Sequence, residues 1–465
     1  MKRLISTVIL MLIIVNCSLA QQYMLYNSRA LYDAFENPSQ KAFYADSSYK
    51  YAFNFLVPAL HLNGSIDGPA TSFFRSLMFD NGSDISQLDP MDTKVNTVGA
   101  NINAYLAMFR VFTDVKSYKE MGFSWQVRND SHAEVSNAFV VLSQEQNPFN
   151  GGISYIDALN VTSFTQSYHQ FSFTYRRNSA RNKKIGLGIK LSYLSGINYN
   201  YIETRDSYLN RNGASLRLNT NALVRSNHTY KEPTDAEIRS WLIPGFKNPG
   251  ASVTLSANFK LKNDWYLMAN LKDVGFIYWS DLYEYRGAPF DFQIYPELPD
   301  ISVGDRIIDQ LDDNLKRTNV AVPTNGKVEV LVNKNLDFYQ PNLIASKNLF
   351  YTGWDMALVN NFHLNNFVLS ASAAYNPDTS LQLGGQLMLK SPNFAFYLGS
   401  NQLIGTYQNV RRLVNSNAGL GSGYIGASLY FGLGIKFGRV VYHRENSPSV
   451  PLLRYVSFFV CSVNK

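Results

Sequence analysis

Period-two alternation, sustained over runs of about 9–13 residues, constrains this chain more than any other feature. Successive side chains of a strand point to opposite faces, so each run has one apolar and one polar side. In 98–108, Val98, Ala100, Ile102, Ala104, Leu106 and Met108 oppose Gly99, Asn101, Asn103 and Tyr105. In 168–176, Phe171, Phe173 and Tyr175 oppose Gln170, Ser172, Thr174 and Arg176. The pattern repeats in 185–193, 252–262 and 425–437, with further candidates at 51–57, 121–127, 215–223, 265–272, 353–359, 366–375, 381–390 and 394–399. Runs at 58–66 and 135–142 are weaker. A tilted membrane strand needs roughly 9–11 residues, whereas soluble strands average ~5–6. The polar side is Ser, Thr, Asn and Gly with an occasional Lys, the character of a barrel lumen. The expectation is an all-β fold, a transmembrane antiparallel β-barrel of about 14 strands, within a range of 12–16. No internal stretch reaches the ~20 apolar residues of a spanning helix.

Short turns join several runs: Asn263-Asp264, Asn376-Pro377-Asp378-Thr379 and Ser391-Pro392-Asn393, residue types that tight turns favour. The segments 194–214, 224–251, 279–350 and 400–423 read as long connections, mostly on the outer side of the barrel.

The N-terminus reads as a secretory signal. Lys2 and Arg3 precede an apolar core from Leu4 to Val15, and Ser18-Leu19-Ala20 sets small residues before a cleavage point near Ala20. Cys17 follows the apolar run as in a lipoprotein signal, but Asn16 stands where a small residue is needed. Removing 1–20 takes the 42 basic residues to 40 against 35 acidic, a net charge of +5. These bases are scattered, which gives no case for nucleic-acid binding. Cys461 is then the one cysteine left, so no internal disulfide or cysteine metal site is expected. The expected organisation is 1–20 signal peptide, 21–48 an N-terminal plug or rim segment, 49–438 the barrel and 439–465 an atypical tail.

Within 25–48 the alternation stops, and Ser28 to Phe35 reads as a short helix ending before Asn37-Pro38. Residues 303–317 set Ile307, Ile308, Leu311 and Leu315 on one helical face, expected to pack on the barrel mouth. Asp300, Asp305, Asp309, Asp312 and Asp313 do not follow the spacing of an EF-hand loop and read as a solvated face.

Several segments resemble an uncharacterised family of outer-membrane β-barrels from the Bacteroidota, related to the FadL and PorV transport-type barrels. They are Glu36-Asn37-Pro38, with Ser39 where the family has Ala; Asn147-Pro148-Phe149-Asn150-Gly151; the strand from Ile185 through Gly188 to Leu194-Ser195-Gly196; Pro249-Gly250-Ala251-Ser252; the stretch Asp273-Val274-Gly275-Phe276-Ile277-Tyr278-Trp279; and a closing Leu433-Gly434-Ile435-Lys436-Phe437-Gly438. The departure is the tail beyond Gly438, since barrel assembly reads a terminal strand ending in an aromatic residue, the role Phe437 suits. The resemblance implies a FadL-like barrel in the outer membrane of a Gram-negative bacterium and names no agreed substrate.

In the most specific segment the structural reading is preferred: Asp273 capping a turn, Gly275 allowing a bulge or kink, and Trp279 anchored in the aromatic girdle beside Phe276. No metal or cofactor site is expected, since none of His61, His132, His169, His228, His363 and His443 lies in a metal motif. Ser167 and His169 fall on one side of a strand, as in a barrel-wall hydrolase, but one such pair arises by chance, and no catalytic residue is assigned. The functional expectation is a non-enzymatic channel or transporter in contact with outer-membrane lipid. It would pass a small cargo, and the FadL relation makes that cargo hydrophobic. The rival is a structural or adaptor barrel with a partner in a secretion or surface-assembly system.

Overall fold

A chain with an apolar face toward lipid must satisfy every backbone N–H and C=O within itself, and a sheet does so only by closing. The computed structural model closes fourteen antiparallel strands into a barrel. It describes residues 23–43, 49–79, 88–92, 94–114, 119–142, 154–157, 159–179, 184–212, 215–228, 243–294, 314–351, 353–376, 380–415 and 425–438. The expected signal peptide, the 147–151 motif, most of the 303–317 helix with its acids, and the 439–465 tail lie outside the described residues.

Four of the barrel strands are interrupted. They are β1 (Tyr51–Phe53 and Ala59–Asp67), β4 (Ser154–Ile156 and Val161–Asn178), β6 (Ser215–Ser226 and Pro249–Lys260) and β8 (Lys316–Pro323 and Lys327–Lys334). The others are β2 (Val95–Asp114), β3 (Lys119–Ser136), β5 (Ile185–Asn212), β7 (Trp265–Ile294), β9 (Tyr339–Asn348), β10 (Trp354–Leu364), β11 (Phe367–Asn376), β12 (Ser380–Ser391), β13 (Phe394–Ser400) and β14 (Ile425–Phe437). Both pieces of β1 pair with β14 and β2, which closes the ring. Among the described residues four short α-helices accompany them: α1 (Asp33–Glu36), α2 (Thr71–Phe79), α3 (Asn137–Leu142) and α4 (Leu403–Asn415). No helix among the described residues is long and apolar enough to cross a membrane.

The alternation appears as a wall with its apolar side outward. On β10, Trp354, Met356 and Leu358 are 42–45% exposed while Asp355, Ala357, Val359 and Asn361 are buried inside. On β11, Phe367, Leu369 and Tyr375 face out and Ser370, Ser372 and Asn376 face in. That is the reverse of a soluble sheet and the arrangement of a membrane barrel. From Phe367 to Tyr375 the outward band rises about 27 Å along the strand, or about 20 Å normal to a bilayer at a barrel strand's usual tilt. The turns after β6 (Asn263-Asp264, both φ values near +55°), β8, β10 and β12 lie at one end, the short-turn end, together with the start of β1 and the end of β14, whereas the connection expected at 376–379 joins β11 to β12 at the opposite end.

Several elements differ from the sequence expectation. The runs 215–223 and 252–262 are two pieces of the single strand β6, because both pair with β5 and β7. The expected connection 279–350 contains the rest of β7 and all of β8 and β9. Val328, Val330 and Val332 face outward there, an alternation readable in the sequence. Most of 194–214 is strand, since β5 runs to Asn212. The weak run at 135–142 is the end of β3 followed by α3. Met108, placed on the apolar outer side, is buried inside, because a bulge between Tyr105 and Ala107 reverses the phase of β2. The break at 54–58 in β1 sits opposite that bulge. Asn54 bridges it, donating from Nδ2 to Leu106 O at 3.2 Å and accepting from Met108 N at 3.0 Å.

Candidate functional site

The N-terminal segment 23–43 lies inside the barrel. Its helix α1 has four residues, far below the ~12–15 at which an isolated helix becomes stable, and this single turn is held locally. Asp33 Oδ2 accepts from Arg29 N at 3.0 Å, and Oδ1 accepts from Asn37 Nδ2 at 2.7 Å. Burial pushes the Asp33 carboxyl up to about 6, against the pull of the Asn37 and Arg29 hydrogen bonds. The other contacts come from strands all round the wall. Arg110 Nη1 on β2 donates to Ala34 O at 2.7 Å, Arg176 Nε on β4 to Ser39 O at 2.7 Å, and Asn258 Nδ2 on β6 to the same oxygen at 2.6 Å. From the far side, Gln386 Nε2 on β12 reaches Met24 O at 3.4 Å and Lys390 Nζ reaches Ser28 O. Tyr26, Leu31, Phe35 and Phe43 are each no more than 5% exposed. All these contacts cluster toward the short-turn end.

Above α1 a buried ionic cluster joins the segment to the wall. Glu36 pairs with Lys272, which lies 3.7 Å from Glu329. Next to it, Asp273 pairs with Arg128 and, at 2.8 Å, with Lys190. Gln170 Nε2 and Thr254 Oγ1 each donate to Asp273 Oδ1 at 3.1 Å. Three carboxylates thus meet three cations, and the balance is what makes burying them tolerable. Burial alone would raise the Glu36 carboxyl, but Lys272, Lys190 and Arg128 hold it below the usual carboxylate range. A bulge builds this cluster. Two residues of β7, Lys272 and Asp273, stand opposite the one residue Thr254 of β6, and Asp273 takes φ 47°. Both consecutive side chains therefore turn inward. Opposite the bulge β8 breaks at 324–326, where Thr324 donates its Oγ1 to Asp273 O at 2.6 Å and its N–H to Gly275 O at 3.0 Å.

Toward the other end the lumen face turns aromatic. Trp279 stacks on Tyr199 with centroids 5.3 Å apart, and Phe164 meets Tyr199 at 6.2 Å. Tyr351, from the turn between β9 and β10, crosses to Phe164 at 4.7 Å and donates its hydroxyl to Pro323 O. The lumen thus combines the ion cluster and an apolar, aromatic cluster of Tyr32, His61, Tyr105, Tyr397 and Tyr430 around the segment with a second aromatic contact beyond it, and is not lined only by Ser, Thr, Asn and Gly with an occasional Lys.

Four of the residues singled out in the sequence meet in two contacts, Pro38 with Gly188 and Gly196 with Trp279, and the others lie apart. A Cβ on Gly188 would sit 2.1 Å from the carbonyl carbon of Pro38, so only glycine lets the segment lie this close to β5. Asn37, beside Pro38, accepts from Asn270 on β7. A Cβ on Gly196 would sit 2.6 Å from the Trp279 ring. Trp279 is fully buried and faces the lumen, so it is no girdle anchor; Phe276 and Tyr278 beside it point outward. Asp273 does not cap a turn but centres the ion cluster. Gly275 is required by the backbone of β6, where its Cβ would meet Ala251 O at 2.0 Å. Phe437 ends β14 at the short-turn rim, its ring 5.8 Å from that of Tyr51. Ser167 Oγ donates to Asn129 at 2.6 Å, and His169 Nδ1 accepts from Trp125 Nε1 at 3.2 Å. Sequence reasoning missed Glu36, Arg128, Lys190, Lys272 and Glu329 as a set. The available signal was a charged residue on the polar side of an alternating run, as Lys190 in 185–193.

Among solved structures the chain is similar to the Pseudomonas putida toluene transporter TodX. In one crystal structure the identity is 10% over 85% of this chain and 91% of that one, at a TM-score of 0.38. In another it is 8% over 90% and 94%, at 0.41. A mutant Rh. blastica porin is similar at 8% identity over 82% of this chain and 99% of that one, at 0.23. No curated protein matches the sequence. Residues 42–401 match a family described as of unknown function, DUF5723, and the chain belongs to that family.

Proposed function

We propose that this protein is an outer-membrane channel or transporter for a small, apolar cargo, closed at rest by its own N-terminal segment. The observation that carries the reading is a closed barrel, apolar outside, with residues 23–43 held within it by strands from opposite sides. The exposed leucines and aromatics of β9–β14 would meet lipid. The aromatic contact of Phe164, Tyr199, Trp279 and Tyr351 suits an apolar molecule better than an ion. Passage needs no chemistry, only shape and weak binding at several points.

The test is ion conductance of the purified mature protein in a planar bilayer, beside a variant lacking residues 25–48. Both should migrate as folded, heat-modifiable barrels. The full protein should be closed and the deletion should give steady channels. A deletion that folds and stays closed would defeat the plug. Separately, Leu369→Lys on the outer band should cost about 2–4 kcal/mol in vesicles, as a charge facing lipid does. No effect there would remove the membrane assignment.

A further inference from the structure

Helix α4 is built inside out. Its exposed face carries Leu403, Ile404, Tyr407, Val410 and Val414, from 49% to 75% exposed, with Arg411 as a charge toward its C-terminal end whose long stem can carry the head to the interface. Its covered face is polar: Thr406, Asn409 and Arg412, with Gln402 just before it. A surface helix in water shows the opposite arrangement.

The covered face replaces a missing piece of wall. Strand β13 ends at Ser400, which pairs with Gly385 partway down β12. Above that point, among the described residues, no strand pairs with 380–384 of β12 or 425–429 of β14 across the gap. Helix side chains take the place of a ladder on β14. Thr406 Oγ1 donates to Ser428 O at 3.2 Å and accepts from Ser428 N at 2.9 Å, and Asn409 Nδ2 donates to Gly426 O at 3.1 Å. Gly405 lets the helix approach that edge, since a Cβ there would lie 2.3 Å from Gly426 O. Arg412 Nη1 donates to Asn409 at 2.6 Å, and its guanidinium lies 5.9 Å from the Phe79 ring of α2.

The apolar face continues the outer band. Leu403 lies against Gly385, where an added Cβ would sit 2.6 Å from Leu403 Cδ1. Gly385 faces outward between Leu383 and Leu387, themselves 44% and 42% exposed. Gly385 also pairs with Ala371, four residues short of the upper aromatic pair Trp354–Tyr375. That places the start of α4 about 10 Å inside the band.

We infer that α4 is part of the membrane-facing wall, with its Leu403–Val414 face docked in the acyl chains of the outer leaflet. This rests on the membrane reading proposed above. The occupant is lipid because the face is continuous with the outer band and shares its composition.

The test uses the mature chain with Cys461→Ser, refolded in lipid vesicles and carrying one nitroxide at Tyr407→Cys, Val410→Cys or Val414→Cys, with Leu369→Cys as wall reference. Each is checked for the folded gel band. Collisions with oxygen and with a water-soluble nickel chelate are then compared. The oxygen-to-nickel ratio at 407 and 410 should fall within about twofold of that at 369, as for a lipid-embedded helix face. A lipid-like ratio at 369 with a water-like ratio at 407 and 410 overturns the inference and leaves the barrel reading intact. Shielding from both reagents would mean a protein partner or second copy covers α4, and overturns it too. Water-like ratios everywhere would overturn the membrane reading, and this inference with it.

Discussion

From β8 round to β14 each strand pairs with the next without a register shift among the described residues, over strands of 7–13 residues in β9–β14. From β2 to β8 the strands reach 28 and 30 residues in β5 and β7, and the ladder shifts near Ala107, Asp273, Asp206 and Asp281, among others. Both halves obey the same alternation. Both halves hold the N-terminal segment, since Gln386 and Lys390 of the regular half reach Met24 and Ser28. The long half adds the shifts that turn Lys272 and Asp273 inward together, and it carries Phe164, Tyr199 and Trp279 of the aromatic closure. Irregularity in this barrel marks where interior contacts overrode the simple ladder.

The largest effect should come from breaking the ion cluster. Asp273→Ala leaves Lys190 and Arg128 buried without their carboxylate and should cost about 3–5 kcal/mol in urea unfolding from vesicles. Ser372→Ala, a lumen position of the regular half, should cost about 1 kcal/mol or less. Equal losses would erase the distinction between the halves.

The two tryptophans give a second contrast. Trp279→Ala empties a packed position against Tyr199 and should cost about 3–5 kcal/mol. Trp354→Ala on the exposed outer face, which leaves no cavity, should cost clearly less in the same measurement. A reversal would return Trp279 to the girdle.

Gly188→Leu comes next. It should cost about 1–3 kcal/mol by overpacking and leave the barrel folded. Its distinguishing result is that segment 23–43 becomes open to protease. Ala371→Leu, facing outward in the regular half, should leave the segment protected.

The smallest effect is a pH dependence. The Asp33 carboxyl sits near 6 against an ordinary 3.8, so the seated segment binds a proton that the free chain would not yet take up. Its contribution is unfavourable above pH 6 and improves as pH falls toward 4. Protease protection of the segment should rise over that range, and Asp33→Asn should flatten the rise. A rise unchanged in the variant would assign it to another group.

The sequence by itself determined the fold class. Alternation is local, each residue reports its own face, and the outward Leu, Val and Phe of β9–β14 follow it position by position. The glycines and the Asp273–Trp279 stretch were also visible as signatures, but not what they touched. That Gly188 makes room for Pro38, that Trp279 lies on Gly196, and that Glu36 meets Lys272 depend on residues brought together across the lumen. The same is true of β6, where two strand-like runs fill one place in the wall, and of α4, whose polar face makes sense only against the open edge of β14. Only the tertiary structure decided these points, because period reports which way a side chain points, while closure of the ring decides what stands opposite it.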